Sequence, residues 1–182
     1  MSSKILISGN PKFGIAKELE KLYPNANFAS RSTKFDLTSS QGQDTFANIA
    51  QYHDVIIINS ALWKFNQTLL LDTVYKKLVE RKKMPHIICI GSTTDRVKNG
   101  KAWLYNAEKK ALRDYCNTLA IGGVWSSKPK VSYISFGTLT NNQEKHPDRT
   151  CLEVKRAAEY IKWLIDQPKD ININEISIDP IQ

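Results

Sequence analysis

Apolar positions along this chain follow two alternating patterns. Short runs apolar at successive positions occur at 4–8 (KILIS), 54–59 (DVIIIN) and 86–91 (HIICIG). Further runs of strand type occupy 25–30, 130–135 and 172–178. Between them lie longer stretches with apolar residues at helical spacing: 14–23, 43–52, 66–83, 102–120 and 150–166. A run such as Val55-Ile56-Ile57-Ile58 has no polar side, so it suits a strand covered on both faces. Strand and helix alternating this regularly imply βαβ units. The expected architecture is α/β: a doubly wound, mostly parallel sheet with helices on both faces. Gly122-Gly123 is expected to stop the 102–120 helix. The stretch 137–149 carries neither pattern and is expected to be a long loop.

Composition narrows the picture without changing it. At 182 residues the chain is long enough for one domain, 1–182, and too short for two ordinary ones. No apolar run approaches the ~20 residues of a membrane helix, so no membrane partner is expected. The first strand pattern begins at residue 4, which leaves no room for a signal peptide before it. Cys89, Cys116 and Cys151 are scattered with no metal spacing, so no metal site is expected. An odd, sparse cysteine count fits the cytoplasm. The net charge of +8 raises the question of nucleic acid. The densest basic cluster, Lys76, Lys77, Arg81, Lys82 and Lys83, lies on one amphipathic helix and reads as a solvated face. With no motif beyond charge, nucleic acid is not an expected partner. His53, His86 and His146 read as structural or exposed.

In such sheets ligands bind at the carboxyl ends of the strands, near the point where strand order reverses. The first strand ends in SGNPKFGIA, where Gly9 and Gly14 permit a tight turn and close approach of a pyrophosphate to a helix N-terminus. The second ends in Ser30-Arg31-Ser32, with no carboxylate to read a ribose 2′-OH; an Arg there accommodates a 2′-phosphate. Asp36-Leu37 follow, then Asn59-Ser60-Ala61 after the next strand, then Gly91-Ser92. Tyr105 and Lys109 stand at i, i+4 on the following helix, thirteen residues beyond Ser92, and can share one site. A free phenol, with a pKa near ~10, is a poor acid-base group at neutral pH. An adjacent ammonium is expected to pull it down.

Taken in order, these residues resemble the short-chain dehydrogenase/reductase family over nearly the whole chain. The resemblance implies a Rossmann-type NAD(P)-binding domain. Gly9, Asn10, Gly14 and Ile15 would form the cofactor loop. Asp36 and Leu37 would meet the adenine, and Asn59, Ser60, Ala61 and Gly137 would border the cofactor. Ser92, Tyr105 and Lys109 would be the catalytic trio, with Tyr105 and Lys109 also touching the nicotinamide ribose. Asn66 matches a fourth catalytic position, and a helix N-cap role fits it equally. Arg31 and Ser32 favour NADP (NADPH) over NAD. The implied activity is interconversion of a small carbonyl compound and its alcohol, in a homo-oligomer joined through 66–83 and 102–120. The alternative is a noncatalytic dinucleotide-binding sensor or assembly module. The chain departs from the family pattern in five places, one of them an abbreviated segment between Ala61 and the next helix. Its glycine loop is one residue longer and ends in Ala16. Leu62 replaces a glycine, and Phe136 replaces the proline before Gly137. A helix and most of a strand are missing before Asp36. Trp63, Trp103, Trp125 and Trp163 read as core and pocket walls, with Trp63 and Trp103 flanking a substrate pocket.

Overall fold

The computed structural model describes residues 3–96, 103–124 and 127–181. Six strands form one sheet: β1 (Ile5–Ser8), β2 (Asn27–Ala29), β3 (Val55–Ile58), β4 (His86–Ser92), β5 (Lys130–Phe136) and β6 (Glu175–Ile178). Five helices connect them: α1 (Gly14–Leu22), α2 (Ser40–Ala50), α3 (Asn66–Glu80), α4 (Leu104–Val124) and α5 (Val154–Ile165). Short 3-10 turns occupy Arg31–Thr33, Thr93–Arg96 and Thr140–Lys145.

The strands lie in the order β2-β1-β3-β4-β5-β6, and every pairing is parallel. Strand order therefore reverses at β1, between β2 and β3, which is where such sheets open a crevice. Alternation along β3 shows how the sheet is held. Ile56 and Ile58 join the core beneath α2, α3 and α4, with Phe46, Leu70 and Leu112. Val55 and Ile57 join the opposite core beneath α1 and α5, with Leu19 and Ile161. All four β3 side chains are buried, each worth about 1.5–3 kcal/mol of transfer free energy.

Several boundaries differ from those read off the pattern. Helix α4 runs through Gly122 and Gly123 to Val124. A glycine costs a helix only about 1 kcal/mol, less than the burial of neighbouring Leu119 and Ala120 returns. Helix α5 starts at Val154, because Leu152 is instead drawn into a bridge with Leu139. The last strand begins at Glu175, where pairing to Tyr133 starts. Trp163 lies half exposed on α5, facing away from the core, and Trp125 falls outside the described residues. No described helix is long and apolar enough to cross a membrane.

Candidate functional site

At the switch point one buried hydroxyl joins two strand ends. Ser8 Oγ accepts hydrogen bonds from the backbone N–H groups of Asn59 (2.9 Å) and Ser60 (3.1 Å). That fixes the Asn59-Ser60-Ala61 segment beside the glycine turn. Gly9 takes φ +152°, and a Cβ there would stand 2.7 Å from the Asn59 amide, so no other residue fits. Helix α1 opens at Gly14 after Phe13, with no side chain capping its first turn. A backbone cradle that excludes side chains, ending on an uncapped helix, fits a dinucleotide pyrophosphate.

The end of β2 forms a separate, exposed rim. Ser30 and Thr33 cap each other across the 3-10 turn, and Ser30 Oγ lies 2.7 Å from Ser32 Oγ. This bracing displays Arg31 to solvent, with its Nε 3.9 Å from Asp36 Oδ1. Asp36 accepts from the Thr38 hydroxyl and N–H, which hold its carboxyl below the ordinary range. Leu37, expected at the cofactor, sends its side chain into the core instead, while its carbonyl accepts from Gln43.

Tyr105 stands between two indoles, with ring centroids 5.2 Å from Trp63 and 5.4 Å from Trp103. Both tryptophans are about half exposed, so they wall an opening. Lys109 is buried, and its ammonium lies 5.3 Å from the Tyr105 ring centroid. Its hydrogen bond goes to Gln67 Oε1 at 2.6 Å. Gln67 in turn donates to the carbonyls of Ile58 (3.1 Å) and Ile90 (2.9 Å), bridging the ends of β3 and β4.

The electrostatics differ from the expectation. Burial pushes the Tyr105 phenol above its ordinary value, the Ser92 hydroxyl pulls it down, and the Glu108 carboxylate pushes it further up. Burial brings the Lys109 ammonium down to about 8, against the raising pull of Cys89, Glu108, Cys116 and Asp95. Lys109 spends its hydrogen bond on Gln67, and burial rather than the ammonium sets the direction of the Tyr105 shift.

Asn66 is not at this cluster. Its side-chain amide donates to the Trp63 carbonyl at 2.7 Å, closing the turn in which Lys64 and Phe65 are left-handed. The amide at the Lys109 ammonium belongs to the next residue, Gln67. Its signal was in the pattern: Gln67 shares the buried stripe of Leu70, Leu71 and Val74 as its polar member. Glu108 was also missed. It is buried on α4, and its Oε1 accepts from the Lys64 N–H at 2.7 Å, pinning the turn that presents Trp63.

Gly91 explains how the end of β4 is set. A Cβ there would lie 1.9 Å from the Tyr133 hydroxyl, which donates to buried Asp95 at 2.8 Å. Glycine thus admits a tyrosine that anchors the Thr93–Arg96 turn directly after Ser92.

A cavity of about 700 Å³ joins Ser92, Tyr105 and Lys109 to Ile15, Asn59, Ala61 and Gly137. This is the size of a small-molecule site. Gly9, Asn10, Gly14, Arg31, Ser32, Asp36 and Ser60, which follow β1, β2 and β3, lie outside its lining. The 137–149 segment forms the far wall through its 3-10 turn, and the Asn141 amide lies 3.4 Å from where a Gly14 side chain would begin.

No protein-family model matches the chain, and no curated protein matches it in sequence. Solved structures do match in fold. A short-chain dehydrogenase/reductase family protein aligns at 16% identity over 98% of this chain and 96% of its own, with a TM-score of 0.75. Acetoin dehydrogenase from Enterobacter cloacae aligns at 15% identity over 98% and 94%, with a TM-score of 0.74. The closed form of a serine dehydrogenase complexed with NADP+ aligns at 14% identity over 96% and 93%, with a TM-score of 0.72. At these identities the likeness is one of fold: a Rossmann-like parallel sheet shared with these dehydrogenase structures.

Proposed function

We propose that this protein is an NADP(H)-dependent oxidoreductase of the short-chain dehydrogenase/reductase type, interconverting a small carbonyl compound and its alcohol. The observation that carries the reading is the convergence of Ser92, Tyr105 and Lys109 on one cavity that opens towards the glycine turn. A nicotinamide dinucleotide, when bound, supplies or accepts the hydride. The chain's own residues do the rest. Gly9, Asn10, Gly14 and Ile15 receive the pyrophosphate at the start of α1, and Asn59, Ser60 and Ala61 line the path to the cavity. Ser92 donates a hydrogen bond to the substrate oxygen and holds it beside the Tyr105 hydroxyl. Tyr105 gives that oxygen its proton in reduction and takes one back in oxidation. Lys109, held by Gln67, keeps a positive charge beside the proton donor. Trp63 and Trp103 exclude water from the phenol.

Calorimetric titration with NADP+ and NAD+ tests the reading directly. A folded protein that takes up neither loses both the enzymatic and the noncatalytic dinucleotide-binding interpretations.

The preference for NADP(H) rests on Arg31, displayed at the β2 end with hydroxyls on either side. A guanidinium–phosphate contact is worth about 1.5–3 kcal/mol. Arg31→Ala should therefore lower the NADP/NAD affinity ratio by roughly 10- to 150-fold, chiefly through weaker NADP binding. An unchanged ratio removes Arg31 from the site. We also place a homo-oligomer contact on α3 and α4, where Leu69, Val79 and Ile121 are exposed; sedimentation would check it.

A further inference from the structure

Three basic side chains, Lys145, His146 and Arg149, line the same cavity as Ser92 and Tyr105, and among the described residues no carboxylate lines it. Glu144 and Asp148 belong to the same segment but do not reach the lining. Among the described residues neither Lys145 nor Arg149 is ion-paired. The wall is braced from within. The Gln143 side chain donates to the carbonyls of His146 (3.5 Å) and Arg149 (3.2 Å), and the Arg149 N–H donates to the His146 carbonyl (3.1 Å).

The segment that carries this wall starts beside the end of β4. Register pairs Ser92 with Phe136, so Gly137 and Thr138 lie one strand spacing from the turn after Ser92. The Arg149 guanidinium reaches Thr138 Oγ1 at 3.4 Å. The glycine turn that would take a pyrophosphate lies at the end of β1, three strand spacings away, or about 14 Å. There the same segment brings the neutral Asn141 amide nearest to Gly14. Cationic side chains that share a cavity with Ser92 and Tyr105, with no ion-pair partner among the described residues, raise the local concentration of an anionic ligand and orient it.

We propose that the substrate of this site carries an anionic group, carboxylate or phosphate, seated on Lys145, His146 and Arg149 while its carbonyl meets Ser92 and Tyr105. This rests on the oxidoreductase reading for the identity of the carbonyl end. The test is calorimetry on the full chain saturated with NADP+, using matched probes: 2-oxobutanoate and 4-oxopentanoate against their methyl esters, and dihydroxyacetone phosphate against dihydroxyacetone. At least one anionic probe should bind ten times or more tightly than its neutral partner. That ratio should fall towards one in a Lys145→Ala, Arg149→Ala double variant, with NADP+ affinity kept within about twofold. Carboxylate preference and phosphate preference distinguish the two headgroups, and either supports the proposal. Equal binding within every pair, or no binding of any probe, overturns it. A double variant that loses NADP+ affinity and keeps the ratio also overturns it, because the wall would then serve the cofactor. If the wild type binds no dinucleotide but the apo protein keeps the charge preference, the oxidoreductase reading falls and the anion wall stands.

Discussion

Replacing Tyr105 by Phe is expected to lower kcat by about 10²- to 10⁴-fold, the usual range for removing a positioned acid-base group. The substitution deletes only the hydroxyl. The ring keeps its place between Trp63 and Trp103, so the cavity walls and the cofactor path are preserved. NADP+ affinity should therefore stay within about twofold of wild type. Stopped-flow or steady-state reduction of any accepted carbonyl compound measures the first quantity, and calorimetry the second. A Phe variant turning over at the wild-type rate would remove Tyr105 from the chemistry. The pH profile adds a sharper reading. Burial holds the phenol above its ordinary value and brings Lys109 down to about 8. Activity should therefore decline with a midpoint near pH 8, as the ammonium beside the proton donor is lost. A decline appearing only above pH 10 would assign the limb to the phenol instead.

Lys109→Met is the second large effect, and its two consequences run in opposite directions. Turnover should fall at least about 100-fold, through loss of the charge beside the donor. Stability should respond with a distinctive pH dependence. The folded-state pKa, about 8, lies below the ordinary 10.5, so between those values the unfolded chain binds the proton and the folded chain does not. Stability due to this group thus rises with pH across that window, and below about pH 8 the folded protein carries the full cost of a buried charge. Relative to the Met variant, wild type should gain about 2–3 kcal/mol on going from pH 7 to pH 10. Denaturant unfolding of both proteins at the two pH values measures this difference, from which titrations common to both cancel. At pH 7 the variant also leaves Gln67 Oε1 without its donor, which offsets about 1–3 kcal/mol of the relief. Parallel stability profiles would mean that Lys109 is solvated in the folded protein.

The sheet and its order of elements were legible in the sequence because their causes are local. Continuous apolar runs such as Val55 to Ile58 cannot form a half-exposed strand, and stripes such as Leu70, Leu71 and Val74 cannot stay on a solvated helix. Tyr105 and Lys109 could be placed on one helix face from spacing alone, since one turn separates them. So could the stop of β4 at Ser92 and the compact connection between Arg31 and Asp36.

Tertiary packing decided what depended on rotation by less than a turn or on contact between distant segments. Asn66 and Gln67 differ by about 100° around α3; the buried stripe pointed Gln67 inward, and the seating of that helix against the ends of β3 and β4 brought it to Lys109. The direction of the Tyr105 shift was also a tertiary outcome, because burial outweighs the pull of the Ser92 hydroxyl. Leu37 went to the core because α2 folds back over it, and Glu108 found a partner in a turn whose left-handed residues no periodicity announces. The basic wall at Lys145, His146 and Arg149 lies in a stretch without any pattern. Its meaning came only from strand register, which pairs Phe136 with Ser92 across 44 residues of chain. Local sequence sets which elements form; long-range pairing sets which side chains meet, and chemistry depends on the second.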